Sequence, residues 1–141
     1  SVIKQTITEL KGNTKNHTVV FTPIGTVTVN ADKFRIYQVL TNLITNAIKY
    51  SPEHTKITIR VKKDKKSVTV SVKDSGIGIE KDQLKKVFDR LYQVSDSKEK
   101  TFPGLGMGLY ISREIIRHHK GMIWVESEKG KGSTFYFTLP L

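Results

Sequence analysis

The sequence predicts an α+β fold, a two-layer α/β sandwich in which one mixed sheet is packed on one face by about three helices. Two observations predict this fold. Ile57–Lys63 and Ser67–Lys73 alternate apolar and polar residues on either side of a short polar turn, which is typical of an antiparallel hairpin. Residues 33–50 carry an apolar stripe at helical spacing, and a chain of 141 residues usually forms one domain.

The first part of the chain is predicted to add two strands before the long helix. Thr18–Thr22 and Thr26–Asn30 are short β-rich runs with a proline and a glycine between them. Asp32 is the predicted N-cap of the helix, because its carboxylate can accept from free backbone N–H groups. Residues 1–17 are polar and weakly patterned, so we expect a residual linker or the end of a preceding helical hairpin there, and a domain at 18–141.

The second half of the chain is predicted to contain two more helices and two more strands. A short helix is expected near residues 80–87 and a longer one at about 107–119. Between them, residues 94–104 are polar and contain Pro and Gly, which is the composition of a loop. The last two strands are predicted at Met122–Ser127 and Ser133–Leu139, on either side of a glycine-containing turn.

The composition excludes several kinds of site. The chain has no cysteine, which rules out disulfides and thiolate metal sites, and its four histidines lack the spacing of a helical zinc motif. No apolar run approaches the ~18 residues that are needed to span a bilayer. The net charge of +11 could serve nucleic acid or another polyanion, but the lysines are spread along the chain, which favours a solvated basic surface.

One face of the predicted long helix is polar. Gln38, Asn42, Asn46, Lys49 and Tyr50 share this face because they fall at i, i+4, i+8, i+11 and i+12. Asparagine is a poor helix former, so two of them one turn apart are costly unless they have a role. An amide oxygen can ligate Mg²⁺, and a lysine can balance phosphate charge. The alternative is a merely solvated face.

Two glycine-containing segments are compatible with a nucleotide site. In Asp74–Ile79 the carboxylate could accept from an exocyclic amine such as that of adenine, and the glycines let the backbone approach a planar ligand. Gly104–Leu109 opens the predicted helix at about 107–119, whose N-terminus offers free N–H groups to phosphate. An ordinary turn and a flexible hinge are the alternatives. Neither the Walker A nor the Rossmann glycine pattern is present.

In this order, the segments resemble the catalytic ATP-binding domain of sensor histidine kinases, a Bergerat-fold group that also includes DNA gyrase, Hsp90 and MutL. The resemblance runs from about Asp32 to Leu141. Five segments carry it, and they are similar to the family's N box, first glycine box, F box, second glycine box and closing glycine box: Gln38–Tyr50, Asp74–Ile79, Val87–Tyr92, Gly104–Leu109 and Gly130–Phe135.

The resemblance implies ATP and Mg²⁺ as ligands and assigns roles by position. Asn42 and Lys49 would be catalytic, with Lys49 meeting phosphate, and Asn46 would ligate Mg²⁺. Tyr50 would lie along the adenine and Asp74 would bind its amine, while residues 94–104 would form a lid. The complete set of implied ATP-binding residues is Asn46, Lys49, Tyr50, Asp74, Gly76, Ile77, Gly78, Ile79, Arg90, Gly104, Leu105, Gly106, Met107, Gly108, Leu109 and Thr134.

Two positions depart from the family pattern. Leu91 stands where the F box usually has a second Phe, and Gln93 stands where members often have an Arg that reaches the terminal phosphate. Arg90, Lys98 or Lys100 could take over that contact. The departures put turnover in doubt rather than nucleotide binding.

The implied function is that of a bacterial protein histidine kinase in two-component signal transduction, which transfers the γ-phosphoryl group of ATP to a histidine on a separate dimerisation domain. That histidine is followed by Glu or Asp in the family, and none of the four histidines here is. We therefore expect no autophosphorylation by this chain alone. The expected partners are the dimerisation domain of the full-length kinase and a response regulator, without nucleic acid. We expect a monomeric cytoplasmic piece of a membrane-anchored homodimer.

Three other interpretations stay open. ATPases like gyrase, Hsp90 and MutL have a Glu base one helical turn before the Mg²⁺ asparagine, and the amide of Asn42 at that position disfavours hydrolysis. An anti-sigma-factor serine kinase shares the same boxes and is excluded less firmly. The third interpretation is non-enzymatic, either a degenerate ATP-binding interaction module or a basic nucleic-acid-binding domain. The absence of interleaved aromatic residues disfavours nucleic acid.

Overall fold

Three α-helices and five β-strands make up the part of the chain that the computed structural model describes, namely residues 2–10, 17–22, 27–84, 86–89 and 108–141. The helices are α1 (Val2–Glu9), α2 (Lys33–Tyr50) and α3 (Gly108–His118). The strands are β1 (Thr18–Thr22), β2 (Lys56–Lys63), β3 (Ser67–Lys73), β4 (Ile123–Glu128) and β5 (Gly132–Pro140). No helix in these ranges is long and apolar enough to cross a membrane.

The five strands form one mixed sheet in the order β1-β2-β3-β5-β4. The strands β1 and β2, at one edge of the sheet, are parallel, and every other neighbouring pair is antiparallel. The predicted hairpin is present as β2 and β3, with Val61 opposite Val70. The predicted two-layer α+β architecture with a mixed sheet is therefore confirmed.

The two faces of the sheet differ in polarity because side chains alternate along each strand. Ile59, Val72 and Phe135 lie opposite one another in register and are buried in the core that the sheet shares with the helices. The next row on the other face contains Ser71 and Tyr136, which are only half-buried. The helices therefore cover one face of the sheet, and it is the face on which the alternating apolar residues of the strands lie.

The central helix α2 begins and ends where local chemistry requires. The Asp32 side chain accepts hydrogen bonds from the backbone N–H groups of Phe34 and Arg35 at 3.0 and 3.3 Å, as predicted for its N-cap. At the other end, Ser51 leaves the helix with φ −101° and ψ 141°. Proline disfavours the α conformation in the residue before it, so Pro52 explains why the helix stops at Tyr50.

The turn between β2 and β3 is held by one aspartate. The Asp64 carboxylate accepts from the backbone N–H groups of Lys66 and Ser67 at 2.7 and 2.8 Å. These hydrogen bonds lower the pKa of Asp64, because they stabilise its charged form. The side chain thereby fixes the register that brings the core-facing residues of both strands to the same side.

The first helix packs against α2. Thr6 is fully buried and Leu10 belongs to the hydrophobic core, while Val2, Ile3 and Ile7 pack against that core. Residues 2–10 therefore contribute apolar contacts to the same core as the sheet. The domain start predicted at residue 18 stays a prediction.

The strand predicted at Thr26–Asn30 is wrong for its described part, because residues 27–30 belong to no strand. Val27 and Val29 are half-buried and pack against the core, whereas Thr28 and Asn30 are exposed. The alternation that predicted a strand therefore arises from one-sided packing of an irregular segment. Residue 26 lies outside the described residues.

The short helix predicted near residues 80–87 is present only as a 3-10 helix of three residues. The structure has a 3-10 turn at Lys81–Gln83, followed by further hydrogen bonds between residues three apart, Lys86 N–H to Gln83 O and Asp89 N–H to Lys86 O, both 2.9 Å. Val87 and Phe88, which follow the 3-10 turn, are both buried in the core.

Candidate functional site

The candidate site is assembled by hydrogen bonds between the end of α2, the loop Asp74–Ile79 and the turn between β4 and β5. The N–H of Ile77 donates to the carbonyl oxygen of Tyr50 at 3.3 Å, and the N–H of Gly130 donates to the carbonyl oxygen of Ile77 at 2.7 Å. The loop is thus joined on one side to the long helix and on the other side to the β4–β5 turn.

A buried carboxylate stands at the start of this loop. Asp74 is only 5% exposed, and its Oδ1 accepts from the backbone N–H groups of Gly76 at 2.8 Å and Ser133 at 3.2 Å. Burial raises the pKa of the Asp74 carboxyl, and the hydrogen bonds from Gly76 and Ser133 oppose that shift. Among the described residues both side-chain bonds fall on Oδ1, so Oδ2 keeps its capacity to accept a hydrogen bond.

Two glycines let the loop lie directly against its neighbours. A Cβ on Gly76 would overlap the backbone carbonyl oxygen of Tyr50. Gly78 has a φ of +73°, and a Cβ there would overlap the carbonyl oxygen of Glu128. Any side chain at these positions would push the loop away from α2 or from the β4–β5 turn, so the glycines set the position of the Asp74 carboxylate.

A cluster of serine hydroxyls, which no sequence motif indicated, holds the far end of the loop. Ser127 Oγ accepts from the N–H of Ile79 at 2.8 Å, donates to the carbonyl oxygen of Gly132 at 2.9 Å and lies 2.7 Å from Ser133 Oγ. One hydroxyl hydrogen and two lone pairs can satisfy all three contacts. The one signal for Ser127 in the sequence is that it is a polar residue on the face of β4 that Ile123 and Val125 make apolar.

The residue of β5 that contacts Asp74 is Ser133, the neighbour of the predicted residue Thr134. Ser133 donates to the aspartate, whereas Thr134 pairs with Lys73 and lies on the opposite face of the sheet. The physical reason is the strand alternation, because a shift of one residue along β5 exchanges the two faces. Ser133 therefore lies beside Asp74, and the ATP contact predicted for Thr134 stays a prediction.

The other end of the site lies along the polar face of α2. Asn42 and Asn46 are half-buried, and Lys49 is exposed in the last turn of the helix. The side-chain nitrogen of Asn42 donates to the carbonyl oxygen of Gly108 and to Ser112 Oγ, both at 3.2 Å. The polar face of α2 therefore contacts the first turn of α3, which also contains the predicted residue Leu109.

Several predicted site residues lie outside the described part of the chain. The lid at about 94–104, the replacement candidates Lys98 and Lys100 and the departures Leu91 and Gln93 all fall there. The same is true of five predicted ATP-binding residues, Arg90, Gly104, Leu105, Gly106 and Met107.

The fold and the described site together define a class of protein. Helices cover one face of a mixed sheet, and a buried, hydrogen-bonded aspartate lies beside a helix that carries asparagines. This is the arrangement of an ATP-binding domain of the Bergerat type. The chain belongs to the family of histidine kinase-, DNA gyrase B- and HSP90-like ATPases, whose sequence model matches residues 31–141. The predicted resemblance to the catalytic domain of sensor histidine kinases is confirmed.

Individual relatives within this family show which of its members the chain resembles. The chain is 46% identical over 114 residues to the sensor histidine kinase WalK of Bacillus subtilis (strain 168), which covers 79% of this chain and 19% of that protein. It is 41% identical over 112 residues to the methyl sulfide methyltransferase-associated sensor of Methanosarcina acetivorans, covering 79% of this chain and 11% of that protein.

A solved structure supports the same conclusion. The catalytic domain of the histidine kinase ThkA matches with a TM-score of 0.84 and 32% identity, covering 99% of this chain and 91% of that one. The chain spans about a fifth of the length of the first curated relatives that it matches. The likeness therefore concerns their catalytic domain.

Proposed function

We propose that this chain binds Mg-ATP and positions its γ-phosphoryl group for transfer to a histidine on a separate dimerisation domain of a longer sensor kinase. The observation that carries the proposal is the Asp74 carboxylate, buried and aligned by two backbone N–H groups at one end of the site. A buried carboxylate with one committed oxygen suits a ligand that offers an N–H donor to the other oxygen.

At the adenine end, Asp74 Oδ2 accepts from the exocyclic amine of the base. Guanine carries a carbonyl oxygen at the corresponding position, so a carboxylate there rejects it. Gly76 keeps the loop backbone close to the end of α2, beside which the ring would lie, and Gly78 keeps the loop close to the β4–β5 turn. Tyr50, the last residue of that helix, is half-buried there and would flank the ring.

At the phosphate end, the residues present fit a magnesium-bound triphosphate. Mg²⁺ prefers a few protein oxygens together with water and phosphate oxygens, and the Asn46 amide oxygen on the polar face of α2 would supply one. Lys49 and the N-terminal end of α3 would add positive charge. When bound, Mg-ATP supplies the phosphoryl group, and these residues supply position and charge neutralisation.

The engagement of Asn42 favours phosphoryl transfer over hydrolysis. Hydrolytic relatives of the fold have a carboxylate base at this position, whereas an amide cannot take a proton from water. Here the Asn42 nitrogen is also committed to Gly108 and Ser112 of α3. Relatives named as sensor histidine kinases favour a histidine acceptor over the serine acceptor of an anti-sigma-factor kinase.

The wider setting is part of the same proposal. The first curated relatives are about five times longer than the matched region, since it covers 19% and 20% of them. We therefore place the dimerisation domain that carries the histidine in the same parent protein, and a response regulator downstream. The parent would be a membrane-anchored homodimer, with this domain in the cytoplasm.

Titration calorimetry of Mg-ATP into the wild-type chain and Asn46→Ala tests the binding step, with Mg-ADP and GTP as further ligands. Wild type should bind adenine nucleotides in preference to GTP, and Asn46→Ala should lose the Mg²⁺-dependent part of the affinity while it keeps the Mg²⁺-free part. Thr45→Ala is the matched control, because the Thr45 hydroxyl donates to carbonyl oxygens of its own helix. Absence of adenine-nucleotide binding by wild type would remove the basis of the proposal.

A second experiment tests the acceptor. The chain is incubated with Mg-ATP labelled in the γ-phosphate, with and without the separately produced dimerisation domain of its parent. Label should appear only on the dimerisation domain, in the acid-labile form expected of phosphohistidine. Acid-stable label would indicate a serine kinase, and release of free phosphate without labelled protein would indicate a hydrolase.

A further inference from the structure

The side-chain amide of Asn42 joins the two helices of the site. An amide nitrogen carries two hydrogens, and α3 accepts both, one at the carbonyl oxygen of Gly108 and one at Ser112 Oγ, each at 3.2 Å. The two acceptors are four residues apart, so they occupy the same face of α3 in successive turns. This bonding turns the Asn42 nitrogen towards α3 and orients the whole amide group.

Ser112 is the less expected member of this contact. It is 0% exposed, and it shares the buried side of α3 with Ile115 and Ile116. Alanine at this place would favour the helix and would bury no polar atom, whereas a buried hydroxyl is costly unless it is hydrogen-bonded. The hydrogen bond from Asn42 offsets that cost.

The first residue of α3 has no side chain of its own to hold it against α2. A Cβ on Gly108 would lie 3.7 Å from Asn42 Cγ, so the asparagine packs directly against the backbone at the start of the helix. The Asn42 amide is therefore a specific tie between this first turn and α2. Asn46, the proposed Mg²⁺ ligand, lies one turn further along the same face of α2.

We propose that Ser112 is a positioning residue which acts through Asn42 to hold the first turn of α3 at a set distance from Asn46. This inference rests on the proposed function. A helix N-terminus acts on an anion only from its first turn. Ser112 therefore determines how well the N-terminus of α3 and the Asn46 amide engage the same triphosphate, and it has no part in binding the adenine.

Titration calorimetry of the 141-residue chain with Mg-ATP and with adenosine tests this role, in wild type, Ser112→Ala, Asn42→Ala and the double variant. Ser112→Ala should weaken Mg-ATP binding about three- to tenfold, the range for one hydrogen bond, and leave adenosine binding unchanged. In the Asn42→Ala background the same substitution should cause no further loss, because Ser112 acts through Asn42.

A matched control separates positioning from general stability. Thr6 is also 0% exposed and its hydroxyl donates to the carbonyl oxygen of Val2 within α1, away from the site. Thr6→Ala should lower the melting temperature and leave both affinities unchanged. The inference is overturned if Ser112→Ala binds Mg-ATP as wild type does, if it weakens adenosine equally, or if the single losses add in the double variant. Failure of wild type to bind either ligand would instead overturn the proposed function and the inference with it.

Discussion

Replacing Asp74 by asparagine tests two consequences of burying a carboxylate in the site, its effect on ATP binding and its effect on the stability of the fold. The asparagine oxygen can still accept from the N–H groups of Gly76 and Ser133, so the loop keeps its hydrogen bonds. The second oxygen becomes an NH₂ group, which donates where the carboxylate accepted. The substitution thus removes one negative charge and turns one acceptor atom into a donor, while the side-chain volume stays nearly constant.

The effect on binding follows from the loss of one charge-assisted hydrogen bond. Such a bond contributes about 1.5–3 kcal/mol, which corresponds to about a tenfold to 150-fold weaker affinity for ATP. The new NH₂ group is a donor and cannot form a hydrogen bond with the adenine amine, which is also a donor. It can donate to the carbonyl oxygen of guanine. The preference for ATP over GTP should therefore shrink or reverse.

The effect on stability has the opposite sign. Burial raises the pKa of Asp74 in the folded chain, so the unfolded chain releases this proton at a lower pH. The contribution of Asp74 is then fully present below the unfolded pKa and is lost as pH rises through the folded pKa. At neutral pH, Asp74→Asn should therefore melt at a higher temperature than wild type, and this advantage should disappear in acid.

Calorimetry with ATP and GTP, together with thermal unfolding followed by circular dichroism at neutral and acid pH, measures both effects. Asp82→Asn is the matched control, because this exposed aspartate in the 3-10 turn gives the same change in net charge. Its affinity should equal that of wild type. The reasoning is refuted if Asp74→Asn binds ATP as tightly as wild type, or if it melts at a lower temperature at neutral pH.

Two further substitutions test the backbone contacts that build the site. Gly76→Ala places a Cβ on the carbonyl oxygen of Tyr50, so ATP affinity should fall more than tenfold by calorimetry while the circular dichroism spectrum is kept; Ser75→Ala, in the same loop but exposed, should bind normally. Asp32→Ala removes the N-cap of α2 and should cost about 1 kcal/mol, a fall of about 3–6 °C in melting temperature, which Asp32→Asn should largely restore. An unchanged melting temperature would contradict the capping role.

The parts of the fold that sequence predicted well are those with a local physical cause. The start of α2 depends on one capping aspartate and its end on Pro52, both within a few residues of the boundary. The hairpin depends on alternation and on the Asp64 turn. In the site, Asp74 and Gly76 belong to a short contiguous motif that is visible in the sequence, and the structure places their loop against the end of α2.

The failures have non-local causes. Val27 and Val29 alternate with polar residues as in a strand, but a strand also needs a partner, and partner choice is made by the whole sheet. The motif order also did not show that Ser133 lies beside Asp74, because that contact depends on how β3 and β5 pair in the sheet.

By itself, the sequence determined the β2–β3 hairpin, the polar face of α2, the loop with its carboxylate and glycines, and the family, because each of these depends on residues close together in the chain or on a characteristic order of motifs. Only the tertiary structure decided which serines serve the site. Ser112, Ser127 and Ser133 look ordinary in the sequence, and the hydrogen bonds that join them to Asn42, Ile79 and Asp74 span 48 to 70 residues. A hydrogen bond of that kind requires the packed helices and the paired strands to bring donor and acceptor to about 3 Å, and no local pattern records that distance.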